Sequence, residues 1–110
     1  MKTIFRCALL VGLPLLLTTN AYSANHHLRG EIKNISAITD GLLVMLDTGI
    51  PDNCSGTPYG WMLIKQDHTA LTSMVLTAWA SGKKKGTVYT SGRAANGTGY
   101  CVVNQFDVDG

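Results

Sequence analysis

A loop meets a strand in IPDNCSGTPYGWMLI, residues 50–64, and this junction sets the organisation of the chain. The first eleven residues include two prolines, two glycines, Asn and Asp, which form turns and sustain neither a strand nor a helix. The next four, WMLI, are apolar and predict a short third strand. Cys54 lies inside the predicted loop, so a disulfide at this position pins the loop to another part of the fold.

A β-hairpin is predicted immediately before this loop. Residues 42–46, LLVML, are continuously apolar, as in a strand buried on both faces. Asp40-Gly41 forms the turn, and residues 30–38, GEIKNISAI, form the first strand. The isoleucines of that strand are spaced by three rather than two, which predicts a β-bulge. Residues 25–28 are interpreted as a polar, mobile lead-in.

A helix and two further strands are predicted after the third strand. Asp67 is the expected N-cap of a helix over residues 67–81, with apolar spacing at Leu71, Met74, Val75 and Ala78 and a stop at Gly82. The Lys83–85 run is interpreted as a solvated helix end. Residues 87–90, TVYT, and 100–106, YCVVNQF, form the fourth and fifth strands, with a glycine-rich turn at residues 91–99.

The element order is therefore three strands, one helix and two strands. This mainly β order is that of the OB-fold, a five-stranded barrel with its helix between the third and fourth strands. An α+β roll is the alternative. We expect the barrel to close around a core formed by Leu43, Met45, Leu63, Val75, Val88 and Val102.

The first 23 residues have the features of a secretory signal peptide. Lys2 and Arg6 precede an apolar run over residues 7–17, which is too short to span a membrane, and a polar stretch follows. Small residues at Ala21 and Ser23 predict cleavage before Ala24, with a cut after Ala21 as the alternative. Residues 24–110 then form a single domain, secreted or periplasmic, with no membrane insertion after cleavage.

Cysteine usage predicts one disulfide. The chain has three cysteines, and Cys7 is removed with the signal peptide, which leaves Cys54 and Cys101 in an oxidising compartment. The closed loop has 48 residues counting both cysteines. The chain-entropy model gives such a crosslink a stabilisation of about 4 kcal/mol.

Charge and motif content favour a non-enzymatic binding domain without cofactor or metal. The nine basic residues of the chain include Lys2 and Arg6, so the mature domain has seven of each sign. A neutral domain lacks the basic surface that a nucleic-acid binder needs. No G-x-S-x-G or H-E-x-x-H motif occurs. His26 and His27 are adjacent on an extended segment and point to opposite sides, which disfavours a metal pair.

Two aromatic residues are the candidate ligand contacts. Tyr59 and Trp61 flank Gly60 next to the pinned loop, where aromatic faces and neighbouring polar groups suit a sugar. Packing into the core is the alternative role of Trp61. We expect a glycan or glycoprotein ligand; the competing class is a periplasmic structural or inhibitor-like domain that contacts another protein.

Several short motifs add a family resemblance. Cys54-Ser55, Gly60-Trp61, the helix end ASGK at residues 80–83 and the strand at residues 87–90 resemble the B subunits of bacterial AB5 toxins of the subtilase-cytotoxin and typhoid-toxin type. The match runs from Gly30 to about Cys101. The segments PDNCSGTPYGWMLI, LTAWASGKK, TVYTSG and YCVVNQFD are still closer to a set of uncharacterised secreted bacterial proteins.

The resemblance implies an assembly and a ligand. For this chain it implies a pentamer ring, a helix turned toward the central pore, and sialylated glycans bound beside the residue that precedes the first-strand glycine. In the toxin subunits that residue is a serine. In this chain Arg29 precedes Gly30. An arginine can pair with a carboxylate, so Arg29 joins Tyr59 and Trp61 as a candidate ligand-binding residue in a possible homo-pentamer.

Export is expected to remove residues 1–23 and to leave both remaining cysteines oxidised. Intact mass of the exported protein, measured with and without alkylation, checks both statements. A mass that retains the first 23 residues contradicts the cleavage, and two alkylatable cysteines in unreduced material contradict the disulfide.

Overall fold

Five strands and one α-helix are present in the computed structural model, which describes residues 25–93 and 99–109. The predicted signal peptide and residues 94–98 of the predicted glycine-rich turn lie outside the described residues. Two 3-10 turns, Asp52–Cys54 and Pro58–Gly60, lie between the second and third strands. The elements are β1 (His27–Ile38), β2 (Gly41–Leu46), β3 (Met62–Lys65), α1 (Thr69–Ser81), β4 (Lys85–Arg93) and β5 (Cys101–Val108). Within the described part of the chain, no helix has the length and apolarity needed to cross a membrane.

The five strands form one sheet that closes on itself, with neighbours in the order β1-β2-β3-β5-β4 and back to β1. Every pairing is antiparallel except that of β3 with β5, which is parallel. β1 is shared between two neighbours: its second half pairs with β2 and its first half with β4. The predicted mainly β chain with one helix is confirmed.

A bulge in β1 explains the three-residue spacing of its isoleucines. Ile32 pairs with Leu46 and Ile35 with Val44, and the register shifts between Ile32 and Asn34. The extra residue reverses the alternation of inward and outward side chains. Ile32 is therefore in the core and Ile35 packs against it, although three residues separate them. The predicted bulge is confirmed.

The interpretation of residues 25–28 as a mobile lead-in is wrong. β1 begins at His27, and its first residues pair with β4 from His27 opposite Tyr89 to Glu31 opposite Lys85. β4 is correspondingly longer than predicted, so that Lys85 is a strand residue and not part of a helix end. The strand signal was weak because these segments gain their hydrogen bonds from a partner almost sixty residues away.

The helix begins two residues later than predicted. α1 runs from Thr69 to Ser81, its N-cap is His68, and no side-chain hydrogen bond caps it. The His68 amide donates instead to the Lys65 carbonyl oxygen at 3.0 Å, so Asp67 belongs to the turn that leaves β3. The predicted stop is confirmed, because Gly82 is the C-cap in the left-handed conformation.

On β2, β3 and β5 the core cluster uses the face opposite to the one predicted, whereas the prediction for β4 is confirmed. Val75 and Val88 are in the core cluster, but Leu43, Met45, Leu63 and Val102 are not. Successive strand residues point to opposite faces, and it is their neighbours that face inward. Leu43, Leu63 and Val102 are buried all the same and lie opposite one another as a row on the other face. The core cluster consists of Ile32, Leu42, Val44, Leu46, Cys54, Met62, Ile64, Val75, Ala78, Val88, Cys101, Val103 and Phe106.

The predicted disulfide is confirmed. Cys54 and Cys101 are joined, with their Cα atoms 5.1 Å apart, and both belong to the core cluster. Cys101 is the first residue of β5 and pairs with Met62 of β3. The crosslink therefore lies where the parallel pairing begins.

Gly41 is required where β2 starts beside β3. Its φ is 147°, and a Cβ there would overlap the carbonyl oxygen of Ile64. Gly49 also has positive φ, at 107°, but nothing lies within 4 Å of its Cβ position. The two glycines thus share backbone strain and differ in available space.

Replacement of Gly41 by alanine is expected to destabilise the domain more than the same change at Gly49. Gly49→Ala adds only the cost of positive φ, about 1 to 2 kcal/mol. Gly41→Ala adds the displacement of a strand backbone, about 2 kcal/mol further. Denaturant unfolding of both variants measures the difference, and equal losses contradict the close approach of β2 and β3.

Candidate functional site

The loop between β2 and β3 is attached at two points to the start of β5. Its first 3-10 turn ends at the disulfide from Cys54 to Cys101. The buried Thr57 hydroxyl holds the second turn, because it donates to the Trp61 carbonyl oxygen at 2.6 Å and accepts from the Cys101 amide at 2.9 Å. Burial strengthens these hydrogen bonds. The loop is therefore fixed at one end of the closed sheet.

Tyr59 lies in the second turn, between these attachments and the start of β3, and its side chain reaches solvent. The residue is 88% exposed. Its φ of 55° and ψ of 18° place it in the left-handed region, where it is the only non-glycine residue of the described segments with positive φ. That conformation costs a non-glycine residue about 1 to 2 kcal/mol. Strain held by a well-attached loop is typical of binding sites.

Trp61 follows the turn and is half-buried. Its backbone is extended, and its amide donates to the Pro58 carbonyl oxygen at 3.0 Å. It lies one residue before β3, which begins at Met62, and is not among the buried residues of the core cluster. Part of its surface therefore remains accessible two residues from Tyr59.

Arg29 lies at the other end of β5. Its guanidinium forms an ion pair with Asp109, just beyond the last residue of that strand, and its side chain is 63% exposed. The Tyr59 loop is attached to Cys101, the first residue of the strand. At about 3.3 Å per residue the two ends are roughly 25 Å apart. Tyr59 and Trp61 thus lie two residues apart near the start of β5, and Arg29 lies near its end.

Arg93 is a charged neighbour of the Tyr59 loop that the sequence did not reveal. Its Nε donates to the Gly99 carbonyl oxygen at 2.9 Å. A Cβ on Gly56 would lie 2.6 Å from its Nη1, and one on Gly99 would lie 3.3 Å from its Nη2 and 3.9 Å from Pro58. The exposed guanidinium thus lies beside the turn that carries Tyr59. Arg93 lies in the predicted glycine-rich turn at residues 91–99, where no sequence pattern indicates this contact.

A polar network joins the first described residues to the same loop. The backbone amide of Asn53 donates to the Asn25 carbonyl oxygen at 3.0 Å. The backbone amide of Thr90 donates to the His26 carbonyl oxygen at 2.8 Å. The buried Thr90 hydroxyl donates to Asn53 Oδ1 at 2.6 Å, and Asn53 Nδ2 returns a bond to the Thr90 carbonyl oxygen at 3.1 Å. The first described residues are therefore held beside the pinned loop.

His27 of β1 and the preceding His26 pack around the ring of Tyr89. His27 stacks on Tyr89 with ring centroids 5.7 Å apart, and His26 meets His27 edge to face at 5.4 Å. In residues 25–93 and 99–109, no three or more His, Cys, Asp or Glu side chains are grouped as ligands for a metal ion. This cluster offers aromatic packing that supports the pairing of β1 with β4.

Comparisons with known proteins do not extend the resemblance seen in the sequence. No protein-family model matches the chain, and searches of curated proteins and of solved structures found no match. Nothing in them links the chain to the toxin B subunits. The loop that carries Tyr59 is therefore the basis for the function proposed below.

Relief of the strained backbone is expected to stabilise the domain. Tyr59→Gly removes the left-handed penalty and should raise the free energy of unfolding by up to about 1 kcal/mol, once the larger freedom of glycine in the unfolded chain is included. Tyr59→Ala keeps the penalty and serves as the control, with a change within about 0.5 kcal/mol. Denaturant unfolding measures both. A loss of stability in Tyr59→Gly beyond that of the control contradicts the strain.

Proposed function

We propose that the chain is an exported, non-enzymatic OB-fold domain that binds a glycan or glycoprotein through Tyr59 and Trp61. One observation carries this proposal: Tyr59 is 88% exposed, at a φ of 55°, on a loop held by a disulfide and a buried threonine. An exposed aromatic side chain contributes nothing to the core. The fold nevertheless maintains a strained backbone that presents it.

The sheet supports the OB-fold part of the proposal. The strands close in the order β1-β2-β3-β5-β4, the pairing of β3 with β5 is parallel, and α1 lies between β3 and β4 in sequence. These features agree with a five-stranded Greek-key barrel with one inserted helix.

The chemistry of the Tyr59 loop suits a sugar. The faces of Tyr59 and Trp61 provide stacking surfaces for the apolar side of a pyranose ring, and Arg93 provides a hydrogen-bond donor beside them. A single stacking contact and a charge-assisted bond each contribute roughly 1 to 3 kcal/mol. Affinity per site is then low, and an assembly of several copies raises the overall binding strength by multivalency.

Export is supported by the disulfide. A crosslink between Cys54 and Cys101 persists in an oxidising compartment, which is where the predicted signal peptide directs the chain. We therefore propose a periplasmic or extracellular location for the protein.

A glycan array tests the proposal, with the exported protein compared to Tyr59→Ala and Arg29→Ala. We expect Tyr59→Ala to weaken binding by about tenfold or more, which corresponds to loss of one stacking contact. Arg29→Ala is the matched control, an exposed residue roughly 25 Å away along β5, and small oligosaccharides should bind it as they bind the unchanged protein.

Three outcomes would change the proposal. Binding that survives Tyr59→Ala keeps the function and rejects the site. Loss of small-oligosaccharide binding in Arg29→Ala makes Arg29 the primary contact. A protein that binds no glycan and is captured by another protein of its compartment supports the competing class, a periplasmic structural or inhibitor-like domain.

A further inference from the structure

The outward face of α1 has the composition of a buried surface. The helix sequence, TALTSMVLTAWAS, contains no charged residue. Val75 and Ala78 are its buried positions, whereas Met74 and Leu76 are 48% and 42% exposed. Surface helices ordinarily carry charged residues opposite their apolar stripe. An uncharged outer face with two large apolar side chains partly exposed is a candidate contact surface for another protein.

Two grooves flank a ridge of small residues on that face. At 100° per residue, the centre of the outer face is formed by Ala70, Ser73, Thr77 and Ala80. The groove on the Met74 side has a volume of about 610 Å³ and continues to Val108 of β5. The groove on the Leu76 side, of about 460 Å³, is lined also by Ile38 and Leu42 of the β1–β2 hairpin. The small ridge allows another helix to approach closely, and the grooves receive its larger side chains.

The two ends of α1 carry opposite charge. Before the helix, the Asp67 side chain is 80% exposed, and Asp40 adjoins it through the bond from the Gln66 amide to the Asp40 carbonyl oxygen. Lys65 is at this end too, and His68 Nε2 lies 3.9 Å from Asp67 Oδ1. After the helix come Lys83, Lys84 and Lys85, which share a pocket with Glu31 and with Asp109, the ion-pair partner of Arg29. The acidic start and the basic end lie about 20 Å apart along a 13-residue helix.

We propose that a second copy of this chain docks on α1, with the two helices antiparallel about a two-fold axis near residue 75. Asp67 and Lys83 each lie eight residues from Val75, so this symmetry places Asp67 of each copy opposite Lys83 of the other. Two such pairs form, one at each end of the helix. Met74 of one copy then meets Met74 of the other on one side of the axis, and the Leu76 side chains meet on the opposite side.

The charge distribution favours this arrangement over a ring with parallel helices. In such a ring the Lys83–85 run of every copy lies at the same end of the assembly, where like charges repel one another. Antiparallel packing brings each basic end to an acidic end and opposes the helix dipoles. The interface goes beyond the proposed glycan function, because it uses none of the residues of the Tyr59 loop.

Solution mass and an apolar-to-charged change test the surface. Sedimentation velocity of the exported protein should show a monomer that becomes a dimer as concentration rises. Leu76→Lys places a charge in the interface and should weaken association by about tenfold or more. Gln105→Lys, which adds the same charge at an exposed position of β5, is the matched control and should not weaken it. Circular dichroism verifies that both variants fold.

Charge reversal tests the orientation of the helices. Asp67→Lys and Lys83→Asp should each weaken the dimer by roughly fivefold to thirtyfold, since one change affects both symmetric pairs. The double variant should recover most of that loss, because it restores the pairs with reversed sign. A monomer at all concentrations, a pentamer, a dimer unaffected by Leu76→Lys, or a double variant without recovery overturns the proposal. None of these results bears on the affinity of a single Tyr59 site for a monovalent glycan.

Discussion

The pairing of β3 with β5 is the interaction on which closure of the sheet depends. It is the shortest seam, with two registered residue pairs, Met62 with Cys101 and Leu63 with Val102. It is also the parallel one, and parallel pairing is slightly less stable per residue than antiparallel pairing. The disulfide and the Thr57 hydroxyl both reach Cys101, the first residue of this seam. The crosslink thus reinforces the weakest junction of the sheet and fixes the loop that presents Tyr59 at the same place.

Features encoded by neighbouring residues could be predicted from the sequence. The hairpin, the bulge, the helix stop at Gly82 and the loop around Cys54 each depend on local turn chemistry or local spacing. The face of the strands that forms the core could not be predicted, because LLVML, MLI and CVV are apolar at consecutive positions and give no alternation. Leu63 and Ile64 are both fully buried, so the pattern contains no information about which of them faces inward.

The candidate site was predictable in its aromatic residues and not in its charged ones. Tyr59 and Trp61 lie five and seven residues after Cys54 in the sequence, so their proximity to the pinned loop follows from the covalent chain. Arg29 and Arg93 reach their partners, Asp109 and Gly99, through the pairing of distant strands and through the end of β4. Such placements depend on register across the sheet, and register is set by the complete fold. The pairing of His27 with Tyr89 could not be predicted for the same reason.

The sharing of β1 between two neighbours has a consequence for the order of folding. Its second half pairs with β2 across a tight turn, a contact of low sequence separation that forms early. Its first half pairs with β4, whose residues are almost sixty positions away. Of the five strands, only β5 comes later in the sequence than β4. The hairpin therefore forms first, while the main-chain groups of the segment from His27 to Glu31 stay bonded to water. The final closure is a late, long-range event that completes β1.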